Sequence, residues 1–225
     1  MSRELQFKRR PPVSGDVKSV VVFLHGYGAD GADLLGLADP LGPHMQDTAF
    51  IAPDAPDKCT GNPMGFQWFP IPWIDGSSEE EASAGALQAV KDVDGFIAQI
   101  LAQEEISPDQ LMVFGFSQGA MLALRTLVLR DEPVAGIVAC SGRVLDPESF
   151  AGTVRARPPV LLMHGDQDEV VPPGHFNEAG QVLEAAGFEV YGHVMQGTGH
   201  GIAPDGLSVA LTFMADKLGI ALNQG

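Results

Sequence analysis

Short, nearly unbroken apolar runs recur along this chain, and each stops abruptly. Lys18 to Leu24 ends at His25-Gly26, Ala49 to Ala52 at Pro53, Leu111 to Phe114 at Gly115, Val134 to Ala139 at Cys140, and Val160 to Met163 at His164. Runs this short, with no polar alternation, are expected for strands covered on both faces. Between them the apolar period lengthens. Ser78 and Glu81 form a capping-box pattern, after which Leu87, Val90, Val93, Ile97, Ile100 and Leu101 share one helical face. Phe176, Ala179, Val182, Leu183 and Ala186 repeat that spacing up to Gly187, a helix stop, and Pro204 opens a last helix through Leu207, Leu211, Met214 and Leu218. Strand alternates with helix, which predicts an α/β fold with a mostly parallel central sheet, helices on both faces, and a site at the carboxyl ends of the strands.

One such end carries chemistry. Gly115-Phe116-Ser117-Gln118-Gly119 joins the run 111–114 to the helical stretch Ala120 to Leu124. A serine on so sharp a strand-to-helix turn adopts a strained backbone, and the residues two before and two after it must be small. A serine hydroxyl becomes a nucleophile only beside a base that is itself oriented by an acid. In this topology the acid and base follow the serine in that order, on later strand ends. His164 to Pro172 follows the run 160–163, and Gly197-Thr198-Gly199-His200-Gly201 follows a predicted strand at Phe188 to Tyr191.

Of the six histidines, His200 is the favoured base. His25 and His164 sit at strand ends beside glycine, where bonding to backbone is the expected duty, and His44, His175 and His193 lack a glycine-lined loop. Asp168 is favoured as the acid over Asp166, which follows Gly165 and can brace its own turn, and over Glu169. Oxyanion donors are expected from the backbone amides of Gln118, at a helix start, and Tyr27, after His25-Gly26.

Composition narrows the classes. At 225 residues and 45% apolar content the chain suits one domain, 1–225, and a net charge of -16 disfavours nucleic acid and stable association with anionic membranes. Lys8-Arg9-Arg10 reads as a solvated strand end. The amino terminus lacks an apolar signal segment, so a cytoplasmic location is expected. Cys59 and Cys140 match no metal spacing and are expected as free thiols; neither metal nor cofactor is expected. The segment between Cys140 and Pro158 is too short for a separate lid domain. The connection Asp54 to Ser77 is long and holds both tryptophans, Trp68 and Trp73; it suits either a pocket or a contact in a homodimer.

Phe23-Leu24-His25-Gly26-Tyr27-Gly28, Pro53-Asp54-Ala55-Pro56, Trp68-Phe69, the serine turn, His164 to Pro172 and Gly199-His200 together resemble the α/β-hydrolase fold, and more narrowly the phospholipase/carboxylesterase family that includes acyl-protein thioesterases. The resemblance spans almost the whole chain. It implies a triad of Ser117, Asp168 and His200, an oxyanion hole from Tyr27 and Gln118, and Trp68 beside the acyl site. Pro70 stands where relatives often carry Asp after the Trp-Phe pair, which bears on substrate choice. The expected function is a serine carboxylesterase acting on small-molecule esters of short to medium acyl length. The rivals are a thioesterase or lysophospholipase and, more remotely, a non-catalytic binding module.

Overall fold

The computed structural model describes residues 1–59 and 62–222. Among these residues nine strands and eight α-helices follow in chain order. They are β1 (Phe7–Arg10), β2 (Ser19–Leu24), α1 (Gly31–Leu35), α2 (Ala38–Leu41), β3 (Thr48–Pro53), the short strands β4 (Asp57–Lys58) and β5 (Phe66–Gln67), and α3 (Pro72–Asp75). Then come α4 (Glu79–Gln103), β6 (Leu111–Phe116), α5 (Gln118–Leu127), β7 (Gly136–Cys140), α6 (Pro147–Phe150), β8 (Val160–Gly165), α7 (Gly174–Ala185), β9 (Val190–Met195) and α8 (Pro204–Lys217).

Seven strands form one sheet in the order β1-β3-β2-β6-β7-β8-β9, and every neighbouring pair is parallel except β1 with β3. Strands β2, β3 and β8 are buried throughout. Alternate residues of one strand feed opposite cores. Val20, Val22 and Leu24 pack with Val93 and Ile97 of α4 and Leu122 of α5, whereas Val21 and Phe23 pack with Leu34, Leu41, Phe213 and Met214 beneath α1, α2 and α8. Each fully buried aliphatic or aromatic side chain of this kind contributes roughly 1.5–3 kcal/mol. The fold is the expected α/β-hydrolase arrangement, with no separate lid among the described residues; α6 is a single turn between β7 and β8.

The edges explain two departures from the apolar-run reading. β1 is charged because it is an edge strand, its Arg9 and Arg10 paired with Glu104 and Asp39. The last strand runs 190–195, shifted from the expected 188–191, because this edge strand buries only Met195 fully and carries little apolar signal. On α4 the capping box of Ser78 and Glu81 is present, but Leu87, expected on the core face, is exposed. Among the described residues no helix is long and apolar enough to cross a membrane, and Cys59 and Cys140 are free and buried.

Helix α5 meets the end of β2 at contact distance. A Cβ on Gly119 would lie 2.0 Å from the Leu24 carbonyl oxygen, and one on Gly115 would lie 2.5 Å from the Gly119 oxygen. Both obstacles are backbone, which cannot swing aside. Gly119→Ala is therefore expected to cost about 2 kcal/mol and to lower the melting temperature by roughly 5 °C. Gly152→Ala, with open space around its Cβ, is the control in the same thermal melts; equal melting of both variants would refute the packing account.

Candidate active site

Ser117 sits between β6 and α5 with φ 53° and ψ −117°, a conformation that residues with side chains rarely adopt. Its amide donates to the Cys140 carbonyl at 2.8 Å, which ties the turn to the end of β7. The hydroxyl lies 2.9 Å from His200 Nε2, and His200 Nδ1 lies 2.8 Å from Asp168 Oδ2. The three side chains, far apart in sequence, thus form one continuous line.

Asp168 is held from several sides. Its Oδ1 accepts from the amides of Val170 and Val171, both at 2.9 Å. Burial opposes its charge, but the bond to His200 and the amides of Val171 and Val170 outweigh that and hold the carboxyl below its ordinary value. An ionised Asp168 only accepts, so His200 Nδ1 carries the ring proton and Nε2 is left to accept from the serine hydroxyl.

Asp166 has a different duty. Its Oδ1 accepts from the Gly197 amide at 2.7 Å, and Gln167 N donates to Thr198 O at 3.0 Å, so the acid-bearing and histidine-bearing loops are laced together. Glu169 is exposed.

Both strand-end histidines bond to backbone. His164 Nε2 donates to Val171 O at 2.8 Å, steadying the loop that grips Asp168. His25 Nε2 accepts from the Ala55 amide at 3.0 Å, so Nδ1 carries the proton and donates to Gly26 O at 2.8 Å. Gly26 in turn packs on the serine, its ideal Cβ position 3.2 Å from Ser117 Cβ, and Tyr27 is the residue that follows it. Gln118 opens α5, where the amide has no intrahelical acceptor.

The side chain of Gln118 carries a function that sequence reading missed. Its Oε1 accepts from Trp68 N at 2.9 Å and its Nε2 donates to Phe69 O at 2.7 Å. The residue after the serine thus clamps the long connection to the site. Trp68 requires a correction. Its indole has no exposed surface and its Nε1 donates to His25 O at 2.9 Å, so it pins the loop and offers a substrate nothing to stack on. The exposed ring is Trp73, 64% accessible. It borders a cleft of about 170 Å³ between the connection, α4 and α5, walled in part by Phe69, Ile71, Met121 and Leu145. Among the described residues no group of three or more His, Cys, Asp or Glu is placed to hold a metal ion.

The family model for phospholipase/carboxylesterase matches residues 12–218. The chain belongs to this family. It is therefore a hydrolase of the α/β-hydrolase superfamily, with esterase or thioesterase activity. It is similar to acyl-protein thioesterase 1 of Saccharomyces cerevisiae, 30% identical over 219 residues that cover 89% of this chain and 93% of the yeast protein. A protein of Oryza sativa subsp. japonica named as a probable carboxylesterase is 31% identical over 210 residues, 84% of this chain and 74% of the rice protein. The crystal structure of esterase PE8 superposes with a TM-score of 0.91 at 42% identity, covering 96% of this chain and 100% of that one.

Burial pushes the pKa of His25 below its ordinary value. A group whose folded pKa is depressed adds stability that is complete above the unfolded value of about 6.5 and is lost as pH falls from there toward the folded value. Stability is thus expected to fall between about pH 7.5 and about pH 5, and His25→Gln should narrow that difference. Denaturant unfolding at the two pH values measures it; an equal pH dependence in both proteins would exclude His25 as a source.

Proposed function

We propose that this family member is a cofactor-free serine carboxylesterase that cleaves carboxylic esters of short to medium acyl length through an acyl-enzyme intermediate. The observation that carries the reading is the line Asp168–His200–Ser117, with both links below 3 Å. His200 Nε2 takes the hydroxyl proton as Ser117 Oγ attacks the ester carbon. The imidazolium so formed is stabilised by Asp168, whose carboxylate stays ionised because its bonds favour the charge.

The carbonyl oxygen becomes an oxyanion facing the amides of Tyr27 and Gln118, fixed donors that need no reorganisation. On collapse of the tetrahedral intermediate, His200 returns the proton to the departing alcohol. Water then repeats the sequence on the acyl-serine, with His200 again as base. The small cleft walled in part by Met121 of α5, about 170 Å³, favours compact acyl groups.

A thioester follows the same steps with a thiol leaving group. The yeast relative, by its name an acyl-protein thioesterase, makes this the second reading. Efficiencies on matched oxygen esters, thioesters and lysolipids rank the alternatives, and oxygen esters are expected to lead.

Ser117→Ala should abolish labelling by a fluorophosphonate probe and lower kcat by about 10⁴-fold or more, and Asp168→Asn should lower it by about 10⁴-fold through the wrong His200 tautomer. Failure of the intact protein to take the probe would return the chain to the binding-module reading. His200→Ala should likewise lower kcat by about 10⁴-fold or more; a variant that keeps most of its turnover would remove His200 as the base.

A further inference from the structure

The cleft bordered by Trp73 is not merely apolar. Arg125 on α5 and Arg143, three residues beyond the end of β7, both line it. In a chain with 29 acidic and 13 basic residues, an arginine normally finds an acid. Arg3, Arg9, Arg10, Arg130 and Arg155 all make ion pairs at 3.2 Å or less, and Arg157 donates to the Ala186 carbonyl. Arg125 and Arg143 differ. The nearest carboxylate oxygen to Arg125, that of the exposed Asp146, is 3.7 Å from Nη2. Arg125 Nη1 and Arg143 Nε are buried without a hydrogen-bond partner among the described residues. A buried donor left unpaired is costly, and a guanidinium fork is shaped to receive a carboxylate.

The walls of the cleft are built on segments that pack against the serine turn. Gly142, next to Arg143, packs with its ideal Cβ position 3.3 Å from the Ser117 carbonyl oxygen. Met121 lies one turn along α5 from Ser117, and Phe69 is the residue whose carbonyl Gln118 holds. Arg143 lies over the Trp73 ring, its Cζ 5.3 Å from the centroid, which fixes the guanidinium at the rim.

We propose that this cleft is a subsite for a carboxylate carried at the far end of one arm of the ester, received by Arg125 and Arg143, with the apolar chain lying along Phe69, Ile71, Met121 and Leu145. The preferred substrates are then half-esters and similar acid-bearing esters. Glu79 and Asp146 also border the cleft; they offset the two cations and so favour a monoanion over a doubly charged phosphate. The assignment rests on the serine-esterase reading for its catalytic consequence, but not for binding.

Two matched pairs of chromogenic esters test it, with a terminal carboxylate on the acyl arm in one pair and on the alcohol arm in the other, each against the same ester with that carboxylate converted to its methyl amide. In at least one pair kcat/KM should favour the acid by about tenfold or more. The doubly substituted Arg125→Met, Arg143→Met protein should lose most of that preference through KM, and the Lys versions should keep part of it. Absence of a preference in both pairs, or one that survives the double substitution, overturns the proposal.

Calorimetry with octanoate against octanamide reads the cleft without turnover. Octanoate should bind more tightly, and the margin should vanish in the Met variant; equal binding overturns the subsite. If no ester is hydrolysed while octanoate still binds through the arginines, the esterase reading fails and the subsite stands.

Discussion

The backbone of Ser117 is the constraint on which the site depends. At φ 53° and ψ −117° the turn costs about 1–3 kcal/mol, and it persists because the elements on either side leave it no alternative. β6 is buried on both faces, α5 is buried along its length, and the Gly119 backbone rests against Leu24 with no room for a side chain. Relaxing the serine would mean lifting α5 off β2. The strain is therefore stable, and it lifts one hydroxyl clear of the sheet end while starting a helix directly behind it.

From that turn the remaining parts are placed by short connections. The parallel sheet brings the ends of β2, β6, β7, β8 and β9 to one edge, so residues as far apart as Gly26, Ser117 and His200 meet there without a long loop between them. Each part is tied to backbone groups. Val170 and Val171 grip Asp168, Asp166 laces its loop to that of His200, and His25 bonds its own Gly26 to the segment after β3. Fixed amides and a fixed tautomer let a weak hydroxyl and a neutral ring act without rearrangement.

Much of this was legible in the residues. The apolar runs mark strands because a strand covered on both faces has no polar side, and the order of Ser117, Asp168 and His200 follows from which strand ends they occupy. Asp166 and Asp168 separate, though Asp166 does not brace its own turn: it accepts from the Gly197 amide of the histidine loop, while Asp168 faces the ring. Less legible were features that depend on what lies opposite in space. Trp68 and Trp73 sit five residues apart in the same connection, yet one is buried and the other exposed, and nothing in their local pattern distinguishes them. Leu87 keeps the helical period of α4 but stands over the cleft, where the core stops. Gln118 gave no sign of its side-chain clamp, and the unpaired buried nitrogens of Arg125 and Arg143 stand out only when the other arginines are seen to hold an acid or, for Arg157, a backbone carbonyl.

The clamp itself has a bearing on how such a protein can change. The connection after β5 is fastened at Trp68 and Phe69, by two backbone bonds to one glutamine and one indole bond to a carbonyl. Beyond those fastenings, Pro70 to Trp73 line the cleft and make no bond to the serine, imidazole or carboxylate. This wall of the cleft and the chemistry are thus housed in separable stretches of chain, and this stretch is free to be rewritten over evolutionary time, in length as well as in side chains, while the hydrolytic apparatus beneath it passes unaltered from one descendant to the next.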